Sequence, residues 1–563
     1  MKTKITVLSI VTLLTAVAAT AQDNRIWATY YGSTGGDGNT AVATDADGNV
    51  FLAGITQSPT GMASGGFQNT FGGGNTDAFL AKFDSTGIRL WATYYGGADD
   101  EMNFFGGKIG IAADGTGNIY LAGLTKSTTG IASGGFQNTM TGTVSAYLVK
   151  FNGSGNRLWA TYYNGTSIEK AQSVAADVSG NVYLAGVAGS TSGIASGGFQ
   201  NTIGGGSDAF LVKFDAAGNR LWATYYGGAG TDEGFCVVTD NSSNIYLAGT
   251  TASTSAIASG GFQNTYGGGG SDIFLAKFNS AGARTWATYF GGSGDEMVLF
   301  AGDVGVATDN SGNIFLTGLT NSTAGIASGG FQNTFGGGSD DAFLAKINSS
   351  GALLWSTYYG GTDADKGYDV ATNTAGDSYI VGRTLSSNAI SSGGFQNSSG
   401  GNGDAFLAKF DAGGNRLCAT YFGSTDVDDC NGVATDAFGN IYLSGASAST
   451  SGIAYNGFQN FHGGGVSDAM LVKFTSSCFS TQVDEIYPDE NLSAYPNPSA
   501  DVITFCGKNI KEIILYDTTG KKIFSKNLCD DATTINISAL ASGFYLARVT
   551  TDYKTENLKV VKY

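Results

Sequence analysis

The sequence has 563 residues and a formal charge of −17, with 88 Gly, 4 Pro, 27 Tyr and 34 Phe. So much aromatic character excludes Gly-rich disorder, and so little Pro excludes a collagen-like chain. The acidity, with no visible cluster of Lys and Arg, excludes a phosphate-binding groove for nucleic acid.

In chain order, Lys2 and Lys4 precede an apolar run from Ile5 to Ala19 that ends in the small-x-small pattern Ala19-Thr20-Ala21. This predicts a signal peptide over residues 1–21. No later run is apolar for long enough to form a transmembrane segment.

From residue 22 to about 480 the chain repeats itself. The unit W-A-T-Y-Y-G starts at Trp27, Trp91, Trp159, Trp222, Trp286, Trp355 and, with Cys replacing Trp, Cys418. A turn unit, D-x-x-G-N, has its acid at Asp45, Asp114, Asp177, Asp240, Asp309 and Asp436, with Asn373 in the remaining copy. G-F-Q-N recurs with Phe67, Phe136, Phe199, Phe262, Phe331, Phe395 and Phe458. D-A-F-L-A-K-F places Lys at Lys82, Lys150, Lys213, Lys277, Lys346, Lys409 and Lys473.

Each period holds four strand candidates, in the first copy 41–45, 49–55, 77–83 and 89–95, separated by Asp/Gly turns. Four antiparallel strands per repeat describe a propeller blade. The array begins with a fourth strand, Arg25 to Gly32, and its seventh copy stops after a third, Asp468 to Phe474. The first strand therefore completes the last blade. The reading is all-β: a seven-bladed β-propeller closed by the N-terminal strand, followed by a small Ig-like β-sandwich.

The DAFLAKF and D-x-x-G-N-x-Y-L-A-G segments resemble the SBBP-type β-propeller repeat of secreted and surface bacterial proteins. That resemblance implies the fold and leaves the activity open.

Beyond a predicted linker, 481–492, residues 493–563 carry Tyr495-Pro496-Asn497-Pro498, an Asp517 to Lys521 turn, Gly543-Phe544-Tyr545 and a basic final strand with Lys559 and Lys562. These resemble the type A C-terminal sorting domain of the type IX secretion system. The resemblance implies the secretion machinery as a partner and a secreted or outer-membrane surface location. Cys506 and Cys529 form a candidate disulfide in this domain.

The catalytic inventory is poor. His462 is the chain's single histidine, and its place in the repeat accepts residues as different as Phe71, Ile203 and Ser399, which suits a loop side chain. The Asp45 series is expected to cap turns, the Lys82 series to form structural ion pairs, and GFQN to anchor a long loop by docking its Phe into the blade.

The connections leading into each blade carry carboxylates: Asp37; Asp99, Asp100 and Glu101; Glu169; Asp232 and Glu233; Asp295 and Glu296; Asp363 and Asp365; Asp426, Asp428 and Asp429. Strand alternation places them on the long-loop face near the axis. An acidic ring there suits Ca²⁺ or another hard cation, or a glycan or protein ligand. The alternative is a solvated rim that binds nothing. Function is thus read as a binding or adhesion module. The alternatives are a secreted carbohydrate-active enzyme using paired carboxylates, and a structural surface protein.

Overall fold

The computed structural model describes residues 25–101, 109–296, 304–475, 493–495, 499, 501–517, 520–551 and 555–562. The predicted signal peptide, the linker and Pro496 to Pro498 lie outside the described residues. The chain divides into two compact units, Met1–Phe479 and Ser480–Tyr563.

The first unit contains seven four-stranded antiparallel sheets. In blade 1 the strands are Asp37–Thr44, Val50–Thr56, Asp77–Phe83 and Arg89–Tyr95, hydrogen-bonded in chain order. Blades 2 to 6 repeat this order, and their innermost strands begin at Gly110, Glu169, Asp232, Gly305 and Asp365. Blade 7 joins Asp428–Thr435, Ile441–Ser447 and Asp468–Phe474 to Arg25–Tyr31 from the start of the chain. Thr29 faces Leu471 and Tyr31 faces Ala469 in that last pairing.

Inner strands of successive blades are neighbours, and the inner strand of blade 7 neighbours that of blade 1. A Thr hydroxyl at the end of an inner strand links it to the preceding blade. Thr372 Oγ1 donates to Thr308 O at 2.9 Å, Thr435 to Thr372 O at 2.8 Å, and Thr44 to Thr435 O at 3.0 Å. The step from blade 7 to blade 1 thus uses the same bond as the steps into blades 6 and 7, whereas blades 2 and 3 end their inner strands in Ala113 and Ala176. Closure removes free sheet edges from the ring.

The repeat letters explain the packing. DAFLAKF and IYLAG strands are buried on both faces, because each sheet is sandwiched between two blades. The Trp of each outer strand reaches the next blade: Trp91 Nε1 donates to Gly153 O at 3.0 Å, and Trp159 Nε1 to Ala216 O at 3.0 Å. The repeated Lys approaches the same carbonyls, as with Lys277 Nζ and Ser349 O at 3.0 Å. Cys418, standing where Trp stands elsewhere, is disulfide-bonded.

The Asp45 series caps turns as expected. Asp45 Oδ1 accepts from the amides of Asp47 and Asn49 at 3.1 and 2.9 Å, and Gly48 closes the turn at φ +80°. The lysines form ion pairs in several blades, including Lys82 Nζ with Asp45 Oδ2 at 3.4 Å and Lys346 with Asp309 at 3.7 Å. Blade 6 exchanges the turn's acid and amide. Asn373 occupies the Asp position, Asp377 replaces the Asn, and Lys409 follows the charge to Asp377 at 2.9 Å.

GFQN anchors its loop differently from expectation. The loop pairs with the outer strand, Ser64 and Ala92 exchanging backbone bonds at 2.9 Å, and so covers an edge that would otherwise be open. Phe67 stays 41% exposed and lies under the Arg157 guanidinium of the next blade, 4.4 Å from Cζ to the ring centre. In the copy where Leu353 replaces that Arg, Phe262 and Leu353 pack into a common apolar cluster.

In the second unit, strands Ser493–Tyr495, Val502–Tyr516, Lys522–Asn536, Gly543–Thr551 and Thr555–Lys562 form one five-stranded sheet. The long strand Val502–Tyr516 shifts register between Cys506 and Ile510; its first part pairs with Ser493–Tyr495 and its second with Gly543–Thr551. The side chains of Cys506 and Cys529 lie outside those described. Gly543 pairs with Lys562 and Tyr545 with Val560, so the GFY segment and the basic terminal strand form one ladder. Lys559 Nζ sits 4.2 Å from the Phe544 ring centre, and Tyr545 Oη donates to Ala541 O at 2.7 Å.

Candidate functional site: loop-side ends of the inner strands

The inner strand of blade 1 begins at Asp37, earlier than the predicted residue 41, and a register shift separates Gly38 from Ala41. Blades 3, 4, 6 and 7 carry the same irregularity two residues after the leading acid. The bulge makes the acid the first residue of a strand instead of part of a loop. Register then places Asp37 beside Thr56, and Thr56 beside Asp77.

Seven of the predicted rim acids are buried. Asp37 is 1% exposed, and Glu101, Glu169, Asp232, Glu296, Asp365 and Asp428 are 0% exposed. Glu169 accepts from the Gly165 and Ser190 amides, each at 2.9 Å. Each of the others accepts bonds from its own connection and from a neighbouring hydroxyl. Asp365 Oδ2 takes the Gly361 amide at 2.7 Å and the Ser386 hydroxyl at 2.8 Å. Asp232 Oδ2 takes the Gly228 amide and the Ser253 hydroxyl, both at 2.8 Å. Glu101 takes the Gly97 amide at 3.0 Å and Thr125 Oγ1 at 2.7 Å.

Apart from Glu169, each acid faces a second one from the preceding blade, the first residue of DAFLAKF. The pairs are Asp468–Asp37, Asp77–Glu101, Asp208–Asp232, Asp272–Glu296, Asp341–Asp365 and Asp404–Asp428. The second set is also 0% exposed and was missed by sequence reading, which took the leading Asp for part of a strand motif. Desolvation pushes these groups up: Asp77 to about 6 and Glu101 to about 8, Asp272 to about 6 and Glu296 to about 7, Asp341 to about 7 and Asp468 to about 6. Two like charges in one dry junction resist simultaneous ionisation.

Both carboxyls lie over the Gly that ends WATYYG. A Cβ on Gly360 would be 2.6 Å from Asp341 Oδ1 and 2.9 Å from Asp365 Oδ2. The junction between blades 2 and 3 shows the rule by its exception. Ser145 replaces the Asp there, Asn164 replaces the Gly, and Asn164 Oδ1 accepts from Gln137 at 2.7 Å. In the other pattern the GFQN amide serves the carboxylate, as Gln200 serves Asp208 at 2.8 Å.

The remaining predicted acids stay nearer solvent. Asp99, Asp363 and Asp426 are exposed. Asp100 pairs with Lys126 at 3.1 Å and lies below the usual carboxylate range, its burial outweighed by bonds from Asn75 and Lys126. Asp295 accepts from the Gly270 amide at 2.5 Å. One residue beyond the leading acid, the described blades carry Gly38, Lys170, Glu233, Lys366 and Asp429. Burial raises Glu233 and Asp429, while Lys170 opposes the first shift and Arg383 and Lys366 the second; Arg383 Nε is 3.5 Å from Asp429 Oδ1. Among the described blades, the position beyond the leading acid therefore carries both signs of charge.

His462 is in its predicted loop, but its side chain is only 6% exposed, with Nε2 3.9 Å from Asp468 Oδ1. Its Nδ1 accepts the Gly464 amide at 3.2 Å, and the ring stands edge-on to Tyr30. Among the described residues, no three His, Cys, Asp or Glu side chains converge as a metal-binding group.

Comparison with known proteins finds a family match within each part of the chain. Residues 493–563 match the secretion system C-terminal sorting domain, and residues 221–255 match the SBBP beta-propeller repeat. The sorting domain marks the chain for type IX export, to the cell surface or the medium. Among the described residues no helix is long and apolar enough to cross a membrane.

The chain is 27% identical over 198 residues, 31% of its own length and 14% of the relative's, to the uncharacterized WD repeat-containing protein L264 of Acanthamoeba polyphaga mimivirus. It is 24% identical over 360 residues, 60% of its length and 36% of the relative's, to the regulatory protein FlaEY of Caulobacter vibrioides. It thus spans well under half of either curated relative. A crystal structure of a protein of unknown function from Dyadobacter fermentans aligns with 80% of this chain and 98% of its own, at 11% identity and a TM-score of 0.38.

Proposed function

We propose that this exported propeller is a binding module whose ligand, a glycan or another polyhydroxylated molecule, engages the loop-side mouth of the ring. The observation that carries this reading is where the repeat varies. Turn, Trp, Lys and GFQN positions are nearly invariant because every blade must pack in the same way. The position after the leading acid instead runs through Gly38, Lys170, Glu233, Lys366 and Asp429. Packing alone would not need that variety, whereas an asymmetric ligand on a rigid scaffold would.

The long loops of the same face supply Ser, Thr, Asn and Gly groups suited to hydroxyl recognition. Hydrolysis by paired carboxylates gains little support. The pairs are dry and recur at six junctions, while glycoside cleavage needs one pair reached by substrate and water.

A glycan array probed with the full chain tests the proposal. Saturable binding, abolished by Lys366→Ala or Glu233→Gln at unchanged melting temperature, is the expected result. Silence of the folded chain across the array, or binding indifferent to both substitutions, would count against it.

A further inference from the structure

Six junctions between blades share one close contact. The Gly that closes the turn between the third and fourth strands of a blade lies against the Trp of the preceding blade. A Cβ on Gly155 would stand 2.9 Å from Trp91 Cδ2, and one on Gly414 2.7 Å from Trp355 Cδ2. Gly87, Gly218, Gly282 and Gly351 repeat this over Trp27, Trp159, Trp222 and Trp286, so all six Trp of the chain are used in this way. The six Gly hold φ between +79° and +88°. Both the turn and the indole therefore require a residue without a side chain.

At the seventh junction, between blades 6 and 7, both partners change together. Cys418 takes the Trp place, paired with Lys409 as Trp355 is with Lys346, and is 7% exposed against 6% for Trp355. The Gly place is four residues beyond the end of the third strand, as from Phe410 to Gly414 and from Ile347 to Gly351. Counted from Phe474, it falls on Cys478, which lies outside the described residues. Cys418 is disulfide-bonded. Cys236 and Cys430 keep their thiols, which leaves Cys478, Cys506 and Cys529 as partners.

We propose that Cys418 and Cys478 form a disulfide that replaces the Trp–Gly contact and locks the exit of the array to the ring. The other junctions supply the geometry. A Cβ on Gly87 would stand 3.2 Å from Trp27 Cγ, and a Cys Sγ takes the place of Cγ, one bond beyond its own Cβ. That brings two β-carbons close to the separation of about 3.5–4.5 Å that a disulfide spans. The last copy also has a need that the others lack. In blade 6 the turn is held by its hairpin, Asp411 N donating to Asn415 O at 3.0 Å. In blade 7 the fourth strand comes from the start of the chain, so no hairpin follows Phe474 and no turn demands Gly. A covalent bond there stops a load on the chain beyond Cys478 from peeling Asp468–Phe474 out of its blade. It forms by thiol–disulfide exchange during export: an external protein disulfide takes both electrons and both protons and becomes a dithiol.

The full chain, exported and purified without reductant, is alkylated, digested and mapped by mass spectrometry. A peptide pair joined through Cys418 and Cys478 is expected. Alkylated Cys418, or Cys418 joined to Cys506 or Cys529, would overturn the pairing. Thermal melts then read the lock. Dithiothreitol should lower the melting temperature of the propeller by several degrees, and Cys478→Ser should lower it as much and abolish the response to reductant. Cys418→Trp combined with Cys478→Gly writes the contact of the other six junctions into the seventh and should recover part of the loss, with no response to reductant. A propeller melt indifferent to both dithiothreitol and Cys478→Ser would overturn the lock. If Cys478→Ser fails to fold, the peptide map and the melts of the unaltered chain decide.

Discussion

Trp27, in the first strand of the chain, donates its indole N–H to the carbonyl of Ser85 at 3.2 Å. Lys473, from the far end of the array, reaches the same oxygen at 2.8 Å. The two ends of the repeat thus converge on one acceptor in blade 1, using the bonds that Trp and Lys make between interior blades. Trp27→Ala removes a side chain that is 2% exposed and should cost about 3–5 kcal/mol. Denaturant unfolding of the full chain checks this; a cost under about 1 kcal/mol would mean that the closing junction carries little load.

The exchanged pair in blade 6 predicts a reversible defect. Asp377→Asn leaves Lys409 beside two amides and should destabilise the chain by about 1–3 kcal/mol. Adding Asn373→Asp restores the arrangement of the other blades and should recover most of the loss. Thermal melts of the single and double variants read the recovery. Additive losses would show that the position of the charge matters, as well as its presence.

Arg157 lies over Phe67, and contacts of this kind contribute about 0.5–1 kcal/mol at exposed sites. Arg157→Ala should lose that much and also the packing of the stem. Arg157→Leu should be nearly neutral, because Leu353 already occupies the equivalent place against Phe262. Equal losses in the two variants, measured by chemical denaturation, would contradict this.

The Glu101 carboxyl titrates near pH 8 when folded, since burial outweighs its hydrogen bonds. Its unfolded value is near 4.3, so the folded chain binds the extra proton between these limits. The stabilisation is complete below about pH 4 and is lost as pH rises through about 8. Stability measured in chelator should therefore fall from about pH 5 to 8.5, and Glu101→Gln, which keeps a neutral amide there, should flatten part of the slope. An unchanged slope in the variant would refute the assignment.

Much of this fold was legible because each blade repeats the same packing problem. The Asp45 turn, the Lys82 pair and the use of Arg25 to Tyr31 as the missing strand followed from spacing and residue chemistry. The status of Asp37 and Asp365 did not. Bulges after Gly38 and Gly367 break the two-residue alternation that marks a strand, so the leading acids looked like loop residues. Asp77 was hidden for the opposite reason: it begins a strand so regular that its carboxyl passed for an ordinary strand end. Lys170 and Lys366 directly follow the leading acids Glu169 and Asp365 and were legible in the sequence, whereas Arg383, on the second strand of blade 6, reaches Asp429 of blade 7 only in the fold.

The account rests on a ring whose closing blade, formed by the two ends of the array, is paired like the interior blades. Hydrogen exchange of the intact chain tests this most directly. The backbone amides of residues 27–31 should exchange as slowly as those of 91–95, their counterparts in blade 1, because Arg25–Tyr31 pairs with Asp468–Phe474 as an interior strand would. Exchange of 27–31 on the fast timescale of a fraying terminus, with 91–95 still protected, would contradict a ring closed by its own first strand.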